Sequence, residues 1–187
     1  MPDVDFEARP TEIDGLAVIT VKQVSDDRGT VRELFRASTH AGATPAMPRQ
    51  FAQVNLTSTR RGAIRGLHGE AMTKLVAVVA GEAFGAYVDA RPGSHSFGTV
   101  VTVPLRLGIQ VLVPNGVLNG FQATGETGCE YLYGFDVEWQ PGMPGTGANP
   151  LDPELAIAWP IRIDPDDRAL LSAKDAALPP FSRHPGV

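Results

Sequence analysis

The chain has 187 residues, 43% of them hydrophobic and 20% charged, with a formal net charge of −5. That is enough to bury a core in a single domain over residues 1–187 and too apolar for a disordered chain, and the absence of a basic stripe excludes nucleic acid as an expected partner. Cys129 is the lone cysteine, which excludes an intrachain disulfide and a cysteine metal cage; the first residues carry acids, and no apolar stretch nears the ~20 residues of a membrane span, so the expectation is a cytoplasmic protein with no membrane partner.

Residues 14–22 read as a strand, Asp26-Asp27-Arg28-Gly29 as a turn, and residues 31–35 as the next strand. Residues 39–48, rich in Ala, Gly and Pro, read as a loop with a short helix. Strands then follow closely over 51–57, 63–67, 74–80, 83–89, 98–104, 110–114, 120–123 and 130–135, punctuated by Gly81-Glu82, Arg91-Pro92-Gly93 and Pro114-Asn115-Gly116. Many short strands with Gly and Pro between them predict an antiparallel sandwich or barrel, with a ligand in its mouth or interior. The tail changes character. Residues 152–157 predict a helical turn, and residues 164–174, with acids first and Lys174 last, predict a helix.

The chemistry concentrates in Arg65-Gly66-Leu67-His68 followed by Lys74-Leu75-Val76. A His that takes a proton beside a Lys that stabilises an anion is the minimum equipment for removing a proton next to a carbonyl. Arg65 adds a grip suited to phosphate. Strict strand alternation puts Ile64, Gly66 and His68 on one face and Arg65 and Leu67 on the other. Arg65 and His68 therefore share a site only through a bulge or a bend at a strand end.

These segments together resemble the dTDP-4-dehydrorhamnose 3,5-epimerase family of sugar-nucleotide cupins. The matching motifs are Asp27-Arg28-Gly29 with Glu33, Gln53-x-Asn55, Arg65-Gly66-Leu67-His68, Lys74-Leu75-Val76 with Gly81, Val88-Asp89-x-Arg91, Pro114-x-Gly116 with Gly120-Phe121, and Asp152-Pro153 with Trp159-Pro160. The resemblance runs from about residue 14 to residue 175. It implies an all-β fold, the cupin double-stranded β-helix or jelly roll, with short helical segments near the C-terminus. It also implies a homodimer exchanging N-terminal strands, a dTDP-linked nucleotide sugar as substrate, and no metal or cofactor. The reaction implied is epimerisation beside a C4 ketone, through an enolate, in deoxysugar biosynthesis.

By the same resemblance His68 matches the base, Asp152 its carboxylate partner, Lys74 the residue facing the ketone oxygen and Arg65 a diphosphate ligand. Arg28 and Glu33 match residues reaching the neighbouring subunit's site, and Gln53 and Asn55 match polar pocket residues. Three positions depart from the family. Asn119 stands where a His is common, only Gly69 to Thr73 separate His68 from Lys74, and Trp139 occupies the place of the acid Tyr. Trp donates no acidic proton. Tyr133, the nearest phenol in sequence, is one substitute, and a water held by Asn119 is the other. Trp139 would then bind substrate by stacking.

Simpler readings stand beside these. Asp152 before Pro153 also reads as a helix cap, Asp89 and Arg91 as a salt bridge across a turn, and Trp159 as core packing. His40, His95 and His184 read as solvated. The alternative functions are a non-catalytic nucleotide-sugar-binding cupin and a related sugar-nucleotide isomerase. A metallo-oxygenase is disfavoured because His68-Gly69-Glu70 supplies a single His where metal cupins place a pair.

Overall fold

A computed structural model describes residues 3–181. Thirteen strands are present among these residues. Six form one antiparallel sheet in the order β1 (Glu7–Pro10), β2 (Ala17–Thr20), β10 (Ile109–Val113), β7 (Lys74–Gly81), β12 (Cys129–Phe135), β5 (Gln53–Thr59). Five form the second, in the order β13 (Gly145–Gly147), β6 (Ile64–Glu70), β11 (Val117–Ala123), β8 (Ala83–Asp89), β9 (Val100–Leu105). β3 (Gln23–Asp26) and β4 (Gly29–Arg32) form a separate hairpin. Two antiparallel sheets face to face, with strands crossing between them in sequence, make the expected jelly roll.

Alternation explains the middle layer. From β7 and β10, Val76, Val78, Val111 and Val113 face Tyr87, Val101, Val103 and Phe121 of the opposite sheet. Phe121 and Tyr131 stack across the gap with centroids 3.8 Å apart. Truncating either ring to Ala should cost about 3–5 kcal/mol, the usual range for emptying a buried aromatic site. The outer faces are covered as well. Leu75, Leu112 and Ile19 pack under Phe6, Phe35, Met47 and Phe51, while Leu67, Val88 and Leu118 pack under Ala148, Leu155 and Trp159. Every residue of β11 is therefore buried. Trp159 packs as expected and donates its Nε1 hydrogen to the Pro150 carbonyl at 2.8 Å.

Two expectations change. The helix over 164–174 is absent: Asp164 and Asp167 accept the backbone N–H groups of Asp166 and Ala169, and these side-chain turns displace helix hydrogen bonds. The chain then docks Leu171 beside Ile64 and forms only a one-turn helix, α2 (Ala173–Ala176), with Ser172 as its cap. His40, expected in solvent, ends the short helix α1 (Ala37–His40) fully buried between the rings of Phe6 and Phe35. Its apolar neighbours come from outside the segment, which hides the burial from local composition. His95 is exposed as expected, and His184 lies outside the described residues. The expected helical turn at 152–157 is a 3₁₀ turn, Pro153–Leu155. Asp89 and Arg91 form the expected bridge, tightened by hydroxyls from Ser94 and Ser96.

β6 is bulged. Asn119 of β11 pairs with His68, and Phe121 pairs with Arg65, so Gly66 and Leu67 together oppose Gly120 alone. The extra residue shifts the parity and brings Arg65 and His68 to the same side. Gly66 has φ +116°, and a Cβ there would stand 2.6 Å from Gly120 Cα and 2.7 Å from the Asn119 carbonyl. Gly66→Ala should therefore destabilise the fold by roughly 2 kcal/mol or more, from steric overlap and an unfavourable φ together. Thermal unfolding checks this, and an unchanged midpoint contradicts it.

Candidate active site

The interior is plugged at one end by Phe121, Tyr131 and Tyr87 and open at the other. The open end is a cavity of about 230 Å³ lined by Asn55, Arg65, His68, Glu70, Lys74, Asn119, Tyr133 and Trp139, among others. Each strand delivers its residue by register. His68 and Asn119 are paired partners on β6 and β11. Tyr133 sits between Asn55 of β5 and Val76 of β7. Lys74 opens β7 opposite Phe135. Tyr131, Tyr133 and Phe135 form a ladder along one face of β12, as alternation requires.

His68 Nε2 lies 2.7 Å from Asp175 Oδ1. Asp175 thus holds the place that sequence analysis gives to Asp152. Asp152 is occupied elsewhere: its carboxylate caps the 3₁₀ turn through Glu154 N–H and accepts the Phe181 N–H. Asp175 reaches His68 because Ser172 caps α2 by accepting the Asp175 N–H at 3.0 Å, which fixes the turn. The pattern Ser172-x-x-Asp175 resembles a capping box. Nothing local says that its carboxylate meets a residue 107 positions away.

Burial raises the Asp175 carboxyl, but the hydrogen bond and charge of His68, with the Gly66 and Ser172 contacts, outweigh it and hold the group below the usual carboxylate range. An ionised carboxylate only accepts, so His68 Nε2 carries the hydrogen and Nδ1 is left as the basic nitrogen.

Lys74 is almost wholly buried, its side chain 6% exposed, and its ammonium meets the Glu70 carboxylate and, at 3.4 Å, the His68 carbonyl. Burial pulls Glu70 up, yet the Lys74 charge and hydrogen bond bring it below its ordinary value. Burial first, and the neighbouring Tyr131 next, push the Tyr133 phenol well above 10, so it is an O–H donor at neutral pH. Asn119 is buried, with its amide 3.5 Å from Tyr131 Oη.

A second cavity of about 400 Å³ adjoins the first at His68 and Tyr133, and Arg65, Arg168 and Lys174 line it. Arg65 Nε is anchored on Thr59 Oγ1 at 2.9 Å. Sequence analysis missed Glu70, Arg168, Lys174 and Asp175; the last three sit in the tail, where only the strand-to-tail contacts of the fold place them at the site.

Trp139 is half exposed at the rim and lines a third, open cavity with Glu70, Gln140 and Met143. Gln53 does not line the inner cavity. It holds the rim instead, accepting the Trp139 N–H at 2.8 Å and donating to Asn55. Arg28 and Glu33 lie apart on and beside the β3–β4 hairpin, paired with Asp26 and Arg36.

Fold and site together define a jelly-roll protein with an acid–base pocket next to a cationic cleft. The chain belongs to the dTDP-4-dehydrorhamnose 3,5-epimerase family, a family of isomerases, whose model matches residues 10–183. It is 34% identical to a dTDP-4-dehydrorhamnose 3-epimerase of Streptomyces niveus, over 92% of this chain and 87% of that protein. Among solved structures, NovW, a 4-keto-6-deoxy sugar epimerase of Streptomyces spheroides, superposes with a TM-score of 0.88 at 30% identity, covering 97% of this chain and 90% of the other. The dTDP-6-deoxy-D-glucose-3,5-epimerase of Legionella pneumophila, in complex with dTDP-4-keto-L-rhamnose, gives 0.86 at 32% identity, covering 97% and 95%.

The His68–Asp175 pair has a pH signature. The folded Asp175 carboxyl lies below its ordinary value of 3.8, so its contribution to stability is full above that value and is lost as pH falls through the lower folded value. The stability gap between wild type and Asp175→Asn should be widest near neutrality and should close in acid. Denaturant titrations over pH 2–7 (about 0.5-unit steps) measure it, and a gap that does not change with pH contradicts this account.

Proposed function

We propose that the protein inverts C3, C5 or both in a dTDP-linked 4-keto-6-deoxyhexose, through an enolate, in deoxysugar biosynthesis. The observation that carries this reading is that His68, held from the adjoining cavity by Asp175, lines one cavity with the buried Lys74 ammonium. His68 takes the proton beside the ketone at Nδ1, the C–H electrons move into the enolate, and Asp175 stabilises the imidazolium as it forms. Imidazole is too weak a base for this unless the enolate is stabilised. Lys74 faces the ketone oxygen and supplies that stabilisation, for which one well-placed donor is worth about 3–4 kcal/mol.

Inversion returns a proton to the opposite face of the carbon. Trp139 has none to give, and Tyr133, kept protonated by its surroundings, takes that role, its phenolate regaining a proton from solvent. Asn119 and Asn55 bind sugar hydroxyls, and Trp139 stacks at the rim. Arg65, with Arg168 and Lys174, holds the diphosphate in the adjoining cavity. A cytoplasmic location is part of the same proposal.

The test is deuterium incorporation beside the ketone in heavy water. Wild type should exchange, and His68→Asn should lose at least ~100-fold while keeping dTDP affinity. Because Tyr133 replaces the family acid from a different position, exchange should outrun net inversion, and Tyr133→Phe should slow inversion more than exchange. Exchange at the wild-type rate in His68→Asn sinks the assignment of the base.

The reading includes a homodimer. β5 ends its sheet with Val54 and Leu56 59% and 58% exposed, and Val31 on the β3–β4 hairpin is 74% exposed. The exposed Val24 and Val31 of the hairpin and the exposed Val54 and Leu56 of the bare edge strand suit one another across a two-fold axis. Arg28 and Glu33 would then extend toward the neighbour's site. Leu56→Asp should turn a dimer into a folded monomer by light scattering, and a monomeric wild type refutes the assembly.

A further inference from the structure

The pocket contains a carboxylate that the proposed reaction does not use. Glu70 follows His68 by two residues on β6, and the two share a face and line the same cavity. Its partner is Lys74, on the neighbouring turn of chain. The short connection from Gly69 to Thr73 brings the two side chains together across it. Among the described residues the contacts of the Lys74 ammonium are the Glu70 carboxylate and the more distant His68 carbonyl. Two of its three hydrogens are thereby directed, and the third is left for a ligand.

An ammonium as buried as this one is costly without a counter-charge, and removing one member of a buried pair leaves the other uncompensated. Asp175 is committed to His68 and Gly66, and Asp136 to the Thr73 N–H. Glu70 is the carboxylate in contact with Lys74. We propose that Glu70 is a positioning residue: it anchors the buried Lys74 ammonium and aims it into the sugar end of the pocket. This rests on the reading of Lys74 as the group that faces the ketone oxygen.

The pairing has two opposed electrostatic consequences. The carboxylate opposes a developing enolate, but without a hydrogen bond to it and at greater distance. The ammonium favours it at hydrogen-bond distance. The nearer charge dominates, so an ordered Lys74 with Glu70 serves the reaction better than a Lys74 that has lost its anchor. The groups facing Glu70 are His68 on its own strand, Lys74 on β7 and Tyr133 on β12; Trp139 and Lys174 border the outer cavity beside it.

The experiment compares wild type with Glu70→Gln and Glu70→Asp. Glu70→Gln keeps the size and the hydrogen-bond acceptor but removes the charge. It should lower kcat for solvent exchange about tenfold, with KM for the 4-keto sugar nucleotide within about twofold and dTDP affinity unchanged by calorimetry. Glu70→Asp should recover part of kcat, because it restores the charge at a shorter reach.

A second measurement does not depend on activity. The chain's lysines are Lys22, Lys74 and Lys174, so ¹³C-lysine labelling gives three side-chain Cε signals, assigned with Lys74→Arg. In ligand-free protein Glu70→Gln should move the Lys74 signal and leave that of Lys22 in place. An unmoved Lys74 signal, or a Glu70→Gln variant that exchanges as fast as wild type or faster, overturns the proposal. Should wild type exchange no deuterium, the proposed reaction fails, and the lysine signals decide the role of Glu70 alone.

Discussion

Between β6 and β11 the two backbones approach at Gly66 and Gly120, where a side-chain carbon on Gly66 would come within 2.6 Å of the opposing Cα. A Cβ on Gly120 would in turn meet Leu67 at 2.7 Å and the Arg65 carbonyl at 2.9 Å. Two glycines facing each other let the strand carry its extra residue without opening the sheet. The bulge turns Arg65 and His68 to one side while Leu67 stays on the other, packed in the outer core. Without it, the parity of a strand would send Arg65 and His68 to opposite faces.

The pocket built on that bulge distributes charge in pairs. Asp175 meets His68, and Glu70 meets Lys74. Arg65, Arg168 and Lys174 face the adjoining cavity. A chain with a net charge of −5 thereby presents a local cationic cleft next to a sugar-sized, nearly neutral pocket. Such a division suits a ligand with an anionic end and an uncharged end. The aromatic ladder of β12 adds a third property. Tyr131 stacks on Phe121 in the core, Tyr133 lies next to it, and Phe135 ends the ladder at the mouth, so one strand passes from dry core to pocket within five residues.

The tail is part of the site rather than an appendage. After the Asp164 and Asp167 turns, the Leu170 carbonyl accepts the Ile64 N–H at 2.8 Å and Leu171 packs into the core. Those contacts present Ser172 and α2 to β6, and Asp175 then bonds both the His68 ring and the Gly66 N–H. One carboxylate therefore orients the His68 ring and supports the bulge that carries it. Stability and chemistry share that group, so loss of the tail contact is a loss to both.

Much of this was legible in the chain itself. Alternating valines with Gly and Pro between them announced the strands, and eight of them from residue 51 to residue 135 formed close to the expected limits. Arg65, His68 and Lys74 stood out because two cations and an imidazole fall within ten residues of a strand-rich segment. The sequence by itself settled the fold class and offered Arg65, His68 and Lys74 as candidates for the chemistry, since strand punctuation and side-chain type are local properties. Only the tertiary structure decided their partners. Asp152 and Asp175 both lie at short helical turns; one caps its own turn, the other, inside α2, reaches His68. The buried His40, the Glu70–Lys74 pair and the cationic cleft from the tail were likewise set by contacts between distant segments. Such contacts depend on where the backbone bends and bulges, and that is fixed by the packing of the whole rather than by neighbours in the chain.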